Sequence, residues 1–274
     1  MSATEPTILA TCGGLIGGEW DDSAYGPLLF EAVRLARVPA GRAPRVLHVN
    51  TAGGDQRTVE GAELAAARAV GVEASHLRFF PRRNVPSLRD AVLGADVVWV
   101  SGGSVVNLLA VWRAHGLDDV LREAWQAGVV LAGGSAGALC WHGGGVTQSH
   151  GPQPSVLADG LGLVSGSLGV HTDSDPDRSP VFRAAVAAGD LPAGIELDEG
   201  VGVVHRGRSA TFVEAVTDHD GGGAVRIARA PGDPTGIRAE PLPVRRLPDA
   251  PRSVPSWTPS AWTPSPEPVD EEAP

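Results

Sequence analysis

The chain has 274 residues, enough for one large α/β domain or two small ones, and 42% of them are hydrophobic, which suits a compact protein with a sizeable core. Its formal net charge of -10 argues against nucleic acid or an anionic membrane as the main partner, because both are bound by excess positive charge. All 22 basic residues are arginine, and the absence of lysine excludes Schiff-base catalysis, a Ser-Lys dyad and a phosphate-binding loop that needs its lysine.

Cysteine usage and the N-terminal sequence indicate a protein of a reducing compartment. Cys12 and Cys140 are the two cysteines, which are too few for a disulfide framework, and we interpret both as small core residues. The first six residues carry no basic residue ahead of an apolar segment, and no apolar run approaches the ~18 residues of a membrane span. We therefore expect a cytoplasmic protein.

Strands alternate with helices through the first half of the chain. The predicted strands lie at 7–11, 45–50, 76–80, 95–100 and 129–132. The predicted helices lie at 27–37, 58–70, 85–93, 105–113 and 117–127. This alternation predicts right-handed β-α-β units and a mostly parallel sheet with both faces covered. In such sheets ligands bind at the carboxyl ends of the strands.

Residues 129–141 are the most informative stretch of the chain. Four apolar residues, 129–132, predict a buried strand, and they lead into Gly133-Gly134-Ser135-Ala136-Gly137. This segment fits the G-x-S-x-G nucleophile elbow, a sharp strand-to-helix turn that presents a serine hydroxyl. A turn this tight brings backbone against backbone, so the residues around Ser135 have to be small. The pattern predicts Ser135 as a nucleophile.

A serine nucleophile needs donors for the developing oxyanion, and two backbone N–H groups are predicted for that role. One is the amide of Ala136, at the start of the helix after the elbow. The other is the amide of Gly103, in the glycine turn Ser101-Gly102-Gly103-Ser104 that follows the neighbouring strand. Both turns fall at the carboxyl ends of predicted strands.

Among the eight histidines, His171 is the predicted general base. It follows an apolar stretch and lies C-terminal to Ser135, as in the chain order of α/β hydrolases. His142 and His150 are nearer in sequence but lie in a glycine-rich segment, 142–150, that we interpret as a loop. The alternative for His171, a polar loop residue without a catalytic role, stays open on this pattern alone.

The later part of the chain is predicted to contain a helix at 180–189 and a hairpin formed by 200–205 and 210–216. From about residue 231 onward, proline, serine and acidic residues dominate. Such a composition cannot bury enough surface to fold by itself. We therefore predict one domain over 1–230 and a disordered tail over 231–274.

Neither a metal site nor a cofactor site is predicted. Asp173, Asp175 and Asp177 alternate like metal-loop acids, but the later glycine and glutamate of a calcium loop are missing, so we interpret them as a solvated acidic loop. His142 and His150 have no cysteine or acid at ligand spacing. The glycines after the first strand do not follow the G-x-G-x-x-G spacing of a dinucleotide site.

Four separated motifs occur together in this chain. They are Ser101-Gly102-Gly103 with Asn107-Leu108-Leu109, then 112–117, then 134–141, and finally Gly169-Val170-His171. In this combination and order they resemble peptidase family S51, the dipeptidase E family, which also contains cyanophycinases. The resemblance covers roughly residues 5–216. It implies a three-layer α/β/α sandwich with a mostly parallel sheet, similar to class I glutamine amidotransferase domains.

The resemblance also implies an activity. It implies a cytoplasmic serine exopeptidase that uses no cofactor and acts on small peptides, in the best-known members on dipeptides with an N-terminal aspartate. By position, Ser135 is the nucleophile and His171 the general base. Amidotransferase-like chemistry would need a cysteine at the elbow, where this chain has serine. The sequence does not distinguish a monomer from a homodimer.

One position departs from the family pattern. The family's loop reads Thr-Asp-Ser, with the aspartate completing the triad, whereas this chain has Gln148 there. An amide in place of the acid costs a Ser-His-Asp protease about 10⁴ in turnover. Three outcomes remain: a slow enzyme, a substitute acid such as Glu199 or Asp173, or a catalytically impaired domain with a binding or regulatory role.

Overall fold

A computed structural model describes residues 5–17 and 23–250. The strands of this part of the chain are β1 (Thr7–Thr11), β2 (Leu15–Gly17), β3 (Ser23–Tyr25), β4 (Arg45–Val49), β5 (Glu73–Leu77), β6 (Val97–Val100), β7 (Val130–Gly134), β8 (His142–Thr147), β9 (Ser155–Leu157), β10 (Val164–Gly169), β11 (Gly194–Leu197), β12 (Val201–Arg206), β13 (Thr211–Thr217), β14 (Ala224–Arg229), β15 (Ile237–Pro241) and β16 (Val244–Arg246). The α-helices are α1 (Pro27–Leu35), α2 (Arg57–Ala69), α3 (Leu88–Leu93), α4 (Val105–His115), α5 (Leu117–Gln126), α6 (Ala136–Leu139) and α7 (Arg178–Ala188).

The main sheet has eight strands in the order β16-β13-β12-β1-β7-β6-β4-β5. The five strands from β1 to β5 in this order are mutually parallel, and β12 joins β1 in antiparallel pairing. Strands β6 and β7 are buried along their whole length, as expected for central parallel strands covered on both faces. The parallel arrangement predicted from the alternation of strands and helices is therefore confirmed for this sheet.

Helices and a second sheet cover the two faces of the main sheet. Helices α1 and α2 pack on one face, through a core that includes Leu28, Ala32 and Ala67. Helices α3 to α6 pack on the other face together with residues of β10 and β11. Helix α7 packs with Phe182 and Val186 on the second sheet. The three-layer α/β/α organisation implied by the family resemblance is thus observed.

The second sheet was not expected from the sequence. It has six strands in the order β15-β14-β11-β10-β8-β9, and its central strands β8, β10 and β11 are parallel. Residues 142–147, predicted as a loop, are strand β8. Their glycines permit close strand packing, since an added Cβ at Gly144 would lie 2.4 Å from the Leu157 carbonyl oxygen and one at Gly145 2.3 Å from that of Leu168.

The predicted boundary of the folded domain at residue 230 is wrong. Strand β15 pairs with β14 at the edge of the second sheet, and β16 pairs with β13 at the edge of the main sheet. Residues 237–246 therefore belong to the fold, because they complete the backbone pairing of both sheets. Residues 251–274, where the rest of the predicted tail falls, lie outside the described residues.

The carboxyl ends of strands from both sheets meet at one edge. The main sheet brings Cys12 after β1, Gly102 and Gly103 after β6, and Ser135 after β7. The second sheet brings His171 after β10 and Glu199 after β11. Sequence-distant polar residues are gathered here because the parallel strands of each sheet end on the same side.

Candidate active site

Ser135 occupies a strained turn between β7 and α6. Its backbone has φ +55° and ψ -112°, a conformation that non-glycine residues rarely adopt. The flanking glycines are required by space: an added Cβ at Gly133 would lie 2.5 Å from the Val100 carbonyl oxygen, and one at Gly137 only 2.0 Å from the same atom. Helix α6 can therefore start directly against β6, with the Ser135 hydroxyl turned outward into the cleft.

His171 reaches Ser135 from the second sheet. Its Nε2 lies 2.9 Å from the Ser135 Oγ, within hydrogen-bond distance. His171 also has a positive φ, +63°, which turns the chain sharply at the end of β10. The structure thus brings together the two residues that the sequence singled out as nucleophile and base.

The other ring nitrogen of His171 meets a carboxylate. Its Nδ1 forms a hydrogen bond with the Glu199 Oε1. Burial acts to raise the pKa of Glu199, but the hydrogen bond and the charge of His171, with further hydrogen bonds from Ser174 and Cys12, outweigh it and lower that pKa. Glu199 is therefore a stable anion beside the ring, which favours a proton on Nδ1 and leaves Nε2 free to accept one from Ser135.

Gln148 does not contact His171 through any described hydrogen bond. Its Oε1 accepts a hydrogen bond from Arg178 Nη2 at 2.8 Å, and its Nε2 donates to the Pro152 carbonyl oxygen at 3.0 Å. The expectation that residue 148 would hold the position next to the base is therefore wrong for this chain. Of the two substitute acids considered from the sequence, Glu199 is the one that reaches the ring.

Three further residues hold Glu199 in place. Asp173, the other substitute acid, accepts a hydrogen bond from the Glu199 backbone amide at 2.9 Å, and Ser174 donates to the carboxylate, also at 2.9 Å. The thiol of Cys12 lies 3.3 Å from both the Glu199 Oε2 and the His171 Nδ1. One of these contacts holds the Glu199 backbone and the others hold its carboxylate, so the position of the carboxylate is fixed at both ends of the residue.

Cys12 was interpreted from the sequence as core filling, and that prediction is incomplete. The residue is fully buried, but it lies against the His171–Glu199 pair. Burial and then the negative charge of Glu199 raise the pKa of its thiol, so the thiol stays protonated and donates to Glu199. Its position at the carboxyl end of β1 was the signal in the sequence. Cys140 is buried, as predicted, with its Sγ 3.3 Å from the Gly137 carbonyl oxygen.

The two predicted oxyanion donors flank Ser135. Ala136 is the first residue of α6, where a backbone amide has no acceptor within its own helix. The glycine turn after β6 comes close to Ser135, because an added Cβ at Gly102 would lie 3.3 Å from the Ser135 Cβ. Gly103 adopts φ +134°, which L side chains rarely adopt. The arrangement leaves a space beside Ser135 bordered by main-chain groups.

A cleft of about 310 Å³ opens beside Ser135. Gly103, Ala136, Gln148 and Arg178 contribute to its wall. The guanidinium of Arg178, at the first position of α7, is fixed by Gln148 and by Asp175, whose Oδ2 lies 3.0 Å from the Arg178 Nε. The cleft therefore has the Ser135 hydroxyl at one side and the oriented Arg178 guanidinium at another.

Two groups of three side chains have potential metal-ligating atoms within 4.8 Å of one another in the described ranges: Cys12, His171 and Glu199, and the buried His48, Glu63 and His76. Hydrogen bonds within each group already account for the proximity of its members. The acidic loop contributes side chains to other contacts instead, since Asp173 binds the Glu199 amide and Asp175 binds Arg178.

Known proteins resemble the chain in fold. A solved peptidase from an acI-B1 actinobacterium superimposes with a TM-score of 0.59 at 18% identity, over 87% of this chain and 95% of that one. A solved protein of Listeria monocytogenes EGD-e, described as a candidate peptidase E, matches with a TM-score of 0.51 at 17% identity, over 77% of this chain and 98% of that one. The fold is thus one that peptidases use. No described helix is long and apolar enough to cross a membrane.

Sequence comparison defines the family. The model of peptidase family S51 matches residues 16–213, which is more than half of the chain. The uncharacterized peptidase YgaJ of Bacillus subtilis (strain 168) is 36% identical over 206 residues, or 74% of this chain and 85% of that protein. The chain belongs to peptidase family S51, and it is therefore a peptidase-family hydrolase.

Proposed function

We propose that the protein is a serine-type exopeptidase that hydrolyses small peptides in the cytoplasm, in the manner of dipeptidase E. The observation that carries the proposal is the chain of contacts from the Ser135 Oγ to the His171 Nε2, at 2.9 Å, and from the His171 Nδ1 to Glu199. Nucleophile, base and orienting acid in this order are what acyl transfer by serine requires.

In the first half of the reaction, His171 takes the Ser135 proton on Nε2 while the Ser135 Oγ attacks the scissile carbonyl carbon. Negative charge develops on the carbonyl oxygen, and the amides of Gly103 and Ala136 donate to it. Glu199 stabilises the resulting imidazolium through Nδ1. The proton on Nε2 then passes to the leaving amine, the C–N bond breaks, and an acyl-enzyme remains on Ser135.

In the second half, water replaces the departed amine. His171 takes a proton from that water, the hydroxide attacks the ester carbon, and the same two amides donate to the oxyanion. The proton returns to the Ser135 oxygen as the acyl group leaves as a carboxylic acid. The enzyme is restored without a change in its protonation state.

The acidic N-terminal residue of a dipeptide fits the wall of the cleft. Arg178 presents a guanidinium whose orientation is set by Gln148 and Asp175, and a guanidinium pairs well with a carboxylate. The cleft volume of about 310 Å³ suits a small ligand. We therefore propose Asp-X dipeptides as substrates, with Arg178 binding the aspartate side chain.

The alternative of a catalytically impaired domain rested on the glutamine at position 148. Glu199 supplies a carboxylate to His171 in its place, so that argument for lost activity no longer applies. A binding or regulatory role becomes one outcome of the experiment that follows.

The test is labelling of purified protein with a fluorophosphonate, followed by hydrolysis of an Asp-X, Glu-X, Asn-X and Leu-X dipeptide panel. Wild type should be labelled and should cleave Asp-X, whereas Ser135→Ala should do neither while keeping its melting temperature. Ser209→Ala is the matched control, because Ser209 lies in an exposed turn between β12 and β13. Wild type as inert as Ser135→Ala toward every probe would overturn the proposal.

Arg178→Gln tests the substrate separately. Loss of a hydrogen bond to a charged group costs about 1.5–3 kcal/mol, so kcat/KM for Asp-X should fall roughly 10- to 150-fold, with little change for Asn-X. Equal losses of kcat/KM for Asp-X and Asn-X would show that Arg178 does not bind the acidic side chain of the substrate.

A further inference from the structure

A buried carboxylate lies beneath the glycine turn that borders Ser135. Glu63 is on α2, and its side chain has no exposed surface. Its Oε2 accepts from the Asn50 Nδ2 and meets the His76 Nε2, both at 2.7 Å, while its Oε1 accepts from the Ser101 Oγ at 3.1 Å. The His48 Nδ1 lies 3.5 Å from the same Oε1.

Two of these partners begin loops at the carboxyl end of the main sheet, and the second of these loops borders the cleft through Gly103. Asn50 follows β4 and its carbonyl oxygen accepts from the amides of Gly53 and Asp55. Ser101 follows β6 and leads directly into Gly102 and Gly103. A single carboxylate therefore links the first residue of one loop to the first residue of the other.

The two loops are also in tight contact above Glu63. The Ala52 carbonyl oxygen accepts from the Ser104 amide at 2.9 Å, and an added Cβ at Gly103 would lie 2.3 Å from that oxygen. With so little free space, a shift of the first loop moves the glycine turn as well. The position of the Gly103 amide therefore depends on contacts fixed at Asn50 and Ser101.

The groups around Glu63 hold it as an anion. Burial acts to raise the pKa of Glu63, but its contacts with His48 and His76 and the hydrogen bond from Asn50 lower it well below its usual range. Tyr25 bonds the far nitrogen of His48, with 2.6 Å between its hydroxyl and the His48 Nε2. The carboxylate thus stays charged and fully engaged with donors across ordinary pH.

We propose that Glu63 is a positioning residue for the oxyanion hole: it ties Asn50 and Ser101 together and so fixes the Gly103 amide beside Ser135. This inference rests on the proposed function and adds a residue to it that touches neither substrate nor His171. Oxyanion donors contribute about 10²–10³ to turnover only when they are correctly placed. Loosening the link should therefore slow the reaction without changing how the base is protonated.

Glu63→Gln is the principal test. Glutamine keeps the shape, but its NH₂ group must face one of the donors that now point at the carboxylate, so the link is strained or broken. We expect a loss of roughly 10- to 100-fold in kcat and in the fluorophosphonate rate constant, with KM within about threefold and the pH midpoint of the activity profile unchanged. The fraction of protein finally labelled should remain that of wild type.

That last readout separates positioning from instability. Partial unfolding lowers the labelled fraction, whereas a misplaced amide lowers the rate constant at full labelling. Glu60→Gln is the matched control: Glu60 is on the same helix three residues earlier and pairs with Arg57 and Arg78 rather than with Asn50 or Ser101. It should react like wild type.

Ser101→Ala provides a second variant in case Glu63→Gln does not fold. It removes one contact of the link and should lower the labelling rate constant by a smaller factor, roughly 3- to 10-fold. If wild type shows no Ser135-dependent reaction, the proposed function and this inference both fail. If wild type reacts and both variants keep its rate constant, the inference alone is overturned.

Discussion

Two of the histidine–glutamate pairs in the described residues have the same chemistry and different surroundings. In the pair His171–Glu199, the two side chains are 23% and 43% exposed, and a serine hydroxyl lies on the far side of the ring. In the pair His76–Glu63, the exposures are 3% and 0%, and the carboxylate is surrounded by donors from two loops. Solvent access and the group beyond the ring, rather than the pair itself, distinguish the pair that we propose transfers a proton from the pair that we propose links two loops.

This difference implies that removing each carboxylate has a different consequence. Loss of the exposed one should affect the reaction and spare the fold, because water can solvate what remains. Loss of the buried one should affect the fold, because its donors would be left without an acceptor in the interior.

The largest effect is expected for Glu199→Gln. The amide cannot stabilise the imidazolium and favours the wrong tautomer of His171, so kcat should fall by roughly 10³–10⁴. Steady-state kinetics on the best dipeptide of the panel measures this, and the melting temperature should change little. A loss smaller than tenfold would mean that Glu199 is not the orienting acid.

The next largest effect is expected for Glu63→Ala, on stability. The substitution leaves several buried donors without an acceptor, at a cost of about 1–3 kcal/mol for each such group, so the midpoint of denaturant unfolding should move down accordingly. Glu199→Ala, measured in the same way, should lose less than about 1 kcal/mol because that pair is solvated. Similar losses in the two variants would remove the contrast between the pairs.

A third arrangement of histidines sharpens the comparison through pH. His142 and His205 are buried and in edge-to-face contact, and their Nδ1 atoms face the backbone carbonyls of Ala138 and Ala210. Burial lowers the pKa of His142 to about 3 and that of His205 to about 4. In the unfolded chain both bind protons near pH 6.5, so stability is fully present above that pH and is lost as the pH falls toward 4.

The corresponding measurement is unfolding of His205→Gln and wild type at pH 7 and pH 5. Between these pH values the protonation of His205 alone should cost wild type about 2 kcal/mol. The variant keeps a donor for the Ala210 carbonyl oxygen and should lose correspondingly less. Identical pH dependence in the two proteins would show that His205 does not contribute.

The smallest effect is expected for Gln148→Asp, which restores the acid of the family pattern. Because Gln148 contacts Arg178 and not His171, an acid there pairs with the arginine and should change kcat by less than about fivefold. Turnover of Asn-X peptides gives the cleanest reading, since their binding does not use the charge of Arg178. A gain of 100-fold or more would mean that Glu199 orients His171 poorly.

The parallel sheet and the sharp turn at Ser135 were predictable because their signals are local. Adjacent residues, the apolar run 129–132 followed by Gly133 to Gly137, indicate a strand, a tight turn and a helix. The motif shared with the family identifies His171. Which acid meets the ring was not predictable in this way. The choice between Asp173 and Glu199 depends on where β10 and β11 end relative to each other. The register of two paired strands cannot be inferred from the sequence of either strand alone.

The features that were missed share a physical cause: the partner that explains each residue lies far away in sequence. Glycines in β8 resemble a loop until the neighbouring strands that approach them are known. In the sequence, Glu63 lies in an alanine-rich helix and resembles a solvent-exposed charge. In the structure its carboxylate accepts hydrogen bonds from Asn50 and Ser101. Strand β15 is exposed along most of its length, so its hydrophobic pattern gives no signal.

The segment from β15 to β16 determines how a C-terminal truncation should affect aggregation of the protein. With residues 237–246 present, β14 and β13 are each hydrogen-bonded on both sides, one in each sheet. A chain ending at residue 230 would turn both into open edges at once, with rows of unpaired amides and carbonyls that invite aggregation. With residues 237–246 retained, the edge strands are instead β15 and β16, so we expect the chain cut at residue 230 to aggregate more readily than one that keeps these two strands.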